Sequence, residues 1–239
     1  MTIFDKIFST SQTVAYDGFT DWHSHILPGV DDGVENISDS LSILSEYERM
    51  GVSDVWLTPH VMEDIPNRTE DLREKFEDLV SSYGGEVKLH LAAENMMDSL
   101  FLSRLDAGDV LPIGEDKDML LVETSYFNPT IRFKEIVEEI QRNGFTPLIA
   151  HPERYAYVGS LSEYGRWKDA GCKFQLNILS LTGHYGPYAK EYSQKMLKGG
   201  FYDFAGTDIH RPGHVGLLKG MKIKKDLAEI LSKLQIQKL

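Results

Sequence analysis

The sequence is short of several things. It has one cysteine, Cys172, so a disulfide framework is excluded. No apolar run reaches the 18 or so residues a membrane-spanning helix needs, and no apolar stretch of signal-peptide length stands at the start. Basic residues are outnumbered: 25 Lys and Arg face 37 Asp and Glu, a net charge of −12, which argues against general nucleic-acid binding. There is no Gly-x-x-x-x-Gly-Lys-Ser/Thr loop, so nucleoside triphosphate chemistry has no support. A cysteine-phosphatase mechanism also fails, because Ile178 stands where an Arg should follow Cys172 six residues on. The reading is a soluble, cytoplasmic protein without membrane insertion.

What is present starts with two matching motifs. Asp21-Trp22-His23-Ser24-His25 lies near one end and Thr207-Asp208-Ile209-His210 near the other. Each puts two metal-ligand types at i and i+2 after a short apolar run, a spacing that a strand sends to one face. Short β-rich runs recur at 19–22, 54–58, 87–93, 119–123, 146–150, 173–177 and 203–206. Helix-period stretches separate them. Ser38 is read as a cap for a helix ending at Gly51, Asn128-Pro129 as a helix start, Ser160 with Glu163 as a capping box, and two further helices lie near 187–198 and 224–235. Alternating β and α units imply parallel strands with right-handed crossovers, and seven units favour a barrel over an open sheet. The chain divides into an N-terminal extension, 1–18, in which Phe4, Ile7 and Phe8 share a face, and one barrel domain, 19–239. The last thirty residues carry seven Lys or Arg against Asp226 and Glu229, which reads as a solvated terminal helix.

In such barrels, reactive groups gather at the C-terminal strand ends. Six of the seven runs deliver a His, Asp or Glu there: His23 and His25, His60, Glu94, Glu123, His151, then Asp208 and His210. Asp31 and Asp32 lie in the loop after the first. A lone histidine after a strand is usually structural, but the joint placement points to a metal centre. Imidazole mixed with carboxylate suits Mn²⁺, Zn²⁺ or Fe²⁺, and nine ligands exceed what one ion needs. His90 falls inside the third run and reads as structural; His184 and His214 fall in Gly-containing loops and read as pocket-rim residues.

The runs Leu27-Pro28-Gly29-Val30-Asp31-Asp32-Gly33, Thr58-Pro59-His60 and His151-Pro152-Glu153-Arg154-Tyr155, with the two end motifs, resemble the polymerase and histidinol phosphatase (PHP) superfamily. Within it they are similar to the manganese-dependent protein-tyrosine phosphatases of bacterial capsule and exopolysaccharide loci. The resemblance implies a distorted seven-stranded (βα)7 barrel and two or three ions, Mn²⁺ first, with Fe, Zn²⁺ or Mg²⁺ as substitutes. It implies one ion on His23, His25, Glu94 and Asp208, a second on Glu94, Glu123 and His151, and a third on Asp31, His60 and His210. The implied reaction is phosphotyrosine hydrolysis by metal-activated hydroxide. Asp208 would share the catalytic role with Arg154, which would also grip the phosphoryl group with Arg211. The implied partner is the tail of a bacterial tyrosine kinase. Trp22, Tyr126, Phe127, Tyr155 and Tyr185 are candidates to stack on the substrate ring. Three rivals are weighed: a histidinol-phosphate or other small phosphoester phosphatase, an amidohydrolase, and a non-catalytic kinase-docking scaffold.

Overall fold

The computed structural model describes residues 11–235; Phe4, Ile7 and Phe8 lie outside the described residues. Nine parallel strands form two sheets. The smaller contains β2 (Thr20–Ser24), β3 (Asp54–Leu57) and β5 (Lys88–Leu91) in that order. The larger runs β10 (Phe204–Gly206), β9 (Lys173–Asn177), β8 (Thr146–Ala150), β7 (Met119–Glu123), β6 (Glu94–Met96) and β4 (His60–Val61). A separate antiparallel pair joins β1 (Ser11–Thr13) to β11 (Lys222–Lys224). Every run expected to be a strand holds one. Two crossings link the sheets: Thr58-Pro59 separates β3 from β4, and Ala92-Ala93 separates β5 from β6. Proline has no amide hydrogen to give a ladder, which accounts for the break at Pro59.

At the other side, the two sheets meet along a seam. Asp208 N donates to His23 O at 2.8 Å, and His25 N donates to Ile209 O at 2.9 Å. Beneath them the buried Asp21 accepts from Thr207 N, Thr207 Oγ1 and Tyr47 OH, each at 2.7 Å. Gly206 is required here: a Cβ would stand 2.6 Å from His23 Cβ and 2.7 Å from His23 N.

Helices cover the outside. In α1 (Ile37–Met50), the buried Ser40, Ile43, Leu44 and Tyr47 recur at helical spacing and make one inward face. Its cap is Asn36, whose side chain accepts from Asp39 N, and Ser38 donates to that cap instead of being it. The other helices are α2 (Thr69–Ser82), α3 (Ser99–Ala107), α4 (Phe133–Arg142), α5 (Leu161–Asp169), α6 (Gly186–Lys198), α7 (Pro212–Lys219) and α8 (Lys225–Gln235). Helix α4 begins four residues after Pro129, because a turn at Ile131 and Arg132, closed by Phe133 N donating to Thr130 O, comes first. Ser160 precedes α5 as expected but makes no side-chain cap bond, so the capping box with Glu163 does not close. No described helix is long and apolar enough to cross a membrane.

Two cores result. The larger lies between strands and helices. The smaller lies among the strands and is wholly apolar: Trp22, Trp56, Ala92, Ile113, Met119, Leu121, Leu148, Ala150 and Phe204. Trp22 stacks on Trp56 with centroids 5.8 Å apart and tilts against Phe204 at 4.4 Å.

Candidate metal centre

The polar groups sit directly beyond that inner core, at the C-terminal strand ends. Two strands deliver them by alternation alone, and a third by alternation followed by a left-handed residue. Met119, Leu121 and Glu123 share a face of β7; Ala92 precedes Glu94 by two; Phe204 and Gly206 lead to Asp208. Two strands change parity instead. Trp22 belongs to the inner core, yet the adjacent His23 reaches the same interior, because the register of β2 shifts between Asp21 and Ser24. Ala150 belongs to the inner core, and His151 follows it inward on a left-handed backbone, φ 30°. Asp208 is also left-handed, φ 53°. Such backbone in non-glycine residues is uncommon and concentrates at functional sites.

Glu94 is the hub. Its Oε2 lies 3.1 Å from His23 Nε2, 3.3 Å from His25 Nε2 and 3.1 Å from His60 Nδ1; its Oε1 lies 2.9 Å from His151 Nε2. Glu123 Oε1 is 3.4 Å from His60 Nδ1. Asp208 Oδ1 is 3.6 Å from His23 Nε2, 3.4 Å from His25 Nε2 and 3.5 Å from His210 Nδ1. Three groups converge tightly enough to hold an ion: His23, His25 and Glu94; His60, Glu94 and Glu123; and His25, Asp32, His60 and His210.

The donor set fits a metal on two grounds. Glu94 Oε2, His60 Nδ1 and His151 Nδ1 are buried and lack hydrogen-bond partners, although the first two stand 3.1 Å apart. Buried polar atoms left without partners are rare and costly. Acidic groups are also crowded out of water: Glu94, Glu123 and Asp208 are three buried carboxyl groups in one cluster, with the Arg154 guanidinium as the nearby fixed cation. Burial disfavours the charge on Glu94, yet His23 and His60 hold it well below the usual carboxylate range. Burial, then the neighbouring Glu94 and Asp208, push Glu123 well above that range. Burial opposes ionisation of Asp208 too, but His23, His25 and Arg154 hold it well below. Burial, then Arg154, push His151 down to about 4, leaving a neutral imidazole, the ligand form.

The polar groups behind the cluster are equally defined. Gln175 Oε1 accepts from His151 N at 3.2 Å and lies 2.9 Å from His23 Nδ1. With the proton on Nδ1, His23 turns a lone pair on Nε2 toward Glu94. Asp31 is placed differently from the expected third set. It lies 2.8 Å from His25 Nδ1 and accepts from Gly33 N and His60 N, so Asp32 replaces it beside His60 and His210, at 3.6 and 3.5 Å. Gly33 sets this turn: a Cβ there would meet His25 O at 2.2 Å.

Arg154 lies in a short 3₁₀ turn, Pro152–Arg154, one step beyond β8. Its guanidinium sits between the rings of Tyr126 and Tyr185, 4.3 and 4.2 Å from their centroids, and Nη1 donates to Asp208 Oδ2 at 2.8 Å. Asn177 Nδ2 donates to the same oxygen at 2.8 Å. These groups floor a cleft of about 540 Å³. Arg211, His184 and His214 lie at its margin; Arg211 is exposed and bonds to none of the cluster. His90 is elsewhere, 2.9 Å from Asp54 and stacked on Trp56. Trp22 and Tyr155 are buried in packing and do not line the cleft. Cys172 is buried, and burial pushes its thiol up to about 12.

Sequence reasoning missed Gln175 and Asn177, which are amides and therefore outside a search for ligands. Their spacing was the available signal: Gln175-x-Asn177 repeats the i, i+2 pattern at the end of β9, which is the one among the seven expected runs with no His, Asp or Glu at its C-terminal end.

A parallel α/β scaffold with a buried imidazole–carboxylate cluster at its strand ends defines a class of proteins built to hold metal ions. The chain belongs to the capsular polysaccharide synthesis family CpsB/CapC, whose model matches residues 19–216. It is 28% identical to CapC of Staphylococcus aureus over 197 residues, 80% of this chain and 76% of that protein. It is 27% identical to the tyrosine-protein phosphatase CpsB of Streptococcus pneumoniae, over 80% of this chain and 82% of the relative. Among solved structures, the metal-dependent tyrosine phosphatases YwqE of Bacillus subtilis and CpsB of S. pneumoniae provide a match with TM-score 0.75 at 22% identity, covering 90% of this chain and 86% of the other. A histidinol phosphate phosphatase from Lactococcus lactis shares the fold with TM-score 0.56 at 13% identity, covering 93% and 95%.

Proposed function

We propose that the protein is a metal-dependent protein-tyrosine phosphatase that dephosphorylates the tail of a bacterial tyrosine kinase in the cytoplasm, on a PHP-type barrel of distorted (βα)7 form. The observation that carries this reading is Arg154, a guanidinium fixed between two tyrosine rings at the edge of a buried imidazole–carboxylate cluster and open to a cleft. The tyrosine-phosphatase names of CpsB and YwqE support it.

His23, His25, Glu94 and Asp208 would hold one ion, Glu94, Glu123, His60 and His151 a second, and Asp32, His60 and His210 a third; the carboxylate-rich set favours Mn²⁺. When bound, such ions supply Lewis acidity, neutralising phosphoryl oxygens and lowering the pKa of water to near neutrality. Glu123 gives up its proton when the site is loaded. Arg154 presents a planar fork to the phosphoryl oxygens, matching their geometry as a lysine cannot. Asp208 divides its oxygens, Oδ1 toward His23 and His25 and Oδ2 toward Arg154 and Asn177, and so fixes the fork relative to the cluster. Tyr126 and Tyr185 hold the guanidinium flat and put aromatic surface beside the place of the substrate ring. Arg211, at the margin, meets the incoming phosphate before the floor does.

Steady-state assays with added Mn²⁺ test this. A phosphotyrosine peptide is hydrolysed in preference to histidinol phosphate, chelation abolishes turnover, and Arg154→Lys lowers kcat/KM by about 10²-fold, roughly 3 kcal/mol. Turnover that survives complete removal of metal, or a large preference for histidinol phosphate, overturns the reading.

A further inference from the structure

The segment between β7 and α4 exposes the two most solvent-accessible large apolar side chains among the described residues, Phe127 at 82% and Ile131 at 86%. Both lie in the connection between those two elements, Phe127 beside the cleft. Exposed apolar surface concentrated in one place marks contact sites more often than scattered residues do. Phe127 also lines two cavities. One is the cleft over the metal centre; the other, about 270 Å³, lies across the Tyr126–Arg154–Tyr185 stack. The stack is the shared wall: all three of its residues line both spaces.

The second cavity is unlike the first. Beyond the stack and Phe127, its walls are Ala156, Tyr188 and Ala189, with no carboxylate or lysine among its lining residues. In a chain of net charge −12, a groove whose single charge is a guanidinium already paired with Asp208 is set up for apolar contact. It is also preorganised. Tyr188 OH bonds Val158 O at 3.0 Å, and the ring stacks on Tyr192 with centroids 4.3 Å apart. Walls fixed in advance lose little entropy on binding. The two alanines leave room for a side chain. A small phosphoester would fill the cleft alone and leave this groove unused, whereas a polypeptide advancing roughly 3.3–3.6 Å per residue carries its next side chains past the wall.

We propose that this groove is a specificity subsite that takes an apolar side chain of the substrate polypeptide next to the phosphotyrosine. The inference rests on the phosphotyrosine reading of the cleft. Its continuity with the cleft through Tyr126, Phe127, Arg154 and Tyr185 commits the occupant to the same polypeptide.

The test uses the full-length, Mn²⁺-loaded protein and paired peptides, one with leucine and one with glycine on both sides of phosphotyrosine. The leucine peptide is favoured in kcat/KM by about tenfold, the scale expected for one apolar side chain in a pocket. Phe127→Ala removes a wall, and Ala156→Trp, at an exposed position, fills the groove; each brings the ratio close to one. Fluorescence anisotropy with the corresponding non-hydrolysable difluoromethylphosphonate peptides gives the same ratios without turnover. A wild-type ratio near one in both measurements, or a preference that survives both variants, overturns the subsite. Absence of turnover on every phosphotyrosine substrate, with the binding preference intact, strikes the phosphatase reading and upholds the groove.

Discussion

The inner core and the candidate metal centre are built from neighbouring stretches of the same strands, one to four residues apart, and they differ in polarity and charge. Toward the strand beginnings, Trp22, Trp56, Leu121, Leu148 and Phe204 fill the interior with no polar atom to satisfy except the indole nitrogens. Toward the strand ends, His23, Glu94, Glu123, His151 and Asp208 bring in buried charge and unpartnered lone pairs. The first region gains free energy by leaving water; the second, without an ion, loses it. The contrast teaches that the apolar layer is the support on which an otherwise unfavourable cluster is held.

Substitutions that touch one layer and spare the other test this division. The largest effect is expected for Glu94→Gln, which removes the shared carboxylate oxygen at the hub. Turnover falls by about 10⁴-fold or more, roughly 5.5 kcal/mol, and elemental analysis finds less metal per chain. Wild-type metal content in that variant would show that the hub is not a ligand. Next is Trp22→Ala, which leaves the cluster untouched but opens the support. Urea unfolding should show a loss of about 3–5 kcal/mol, with metal stoichiometry unchanged in the molecules that remain folded. A small loss would mean that the inner core is not the support. The smallest is Gln175→Leu, at the boundary: metal affinity drops about 10–100-fold, measured by competition with a chelator, because His23 is no longer held in one tautomer. An unchanged affinity would reduce Gln175 to packing.

The strand positions were legible because short β-rich runs separated by helix-period segments are a local signal, and Glu94 and Glu123 follow from plain alternation, whereas Asp208 stands on a left-handed backbone past the end of β10. His23 and His151 were found for their residue type, while the features that aim them, a register shift in β2 and a left-handed backbone at His151, have no local signature. The exchange of Asp31 for Asp32 has the same origin. Adjacent aspartates in a turn are equivalent in sequence, and the turn closed at Gly33 decides which carboxylate faces the imidazole of His25 and which faces His60 and His210. The helix starts at Ser38 and Asn128 were misplaced because capping residues came in pairs or preceded a turn. Of the two breaks that divide the strands between the sheets, the one at Pro59 has a local cause, while the one at Ala92-Ala93 has no local signature.

The bond from Thr207 N to Asp21 joins residues 186 positions apart. Closing so long a span costs chain entropy that no local contact returns. His23 and Asp208 flank that join and face one another only after it is made. The candidate centre is therefore a property of the closed fold and of neither end of the chain by itself.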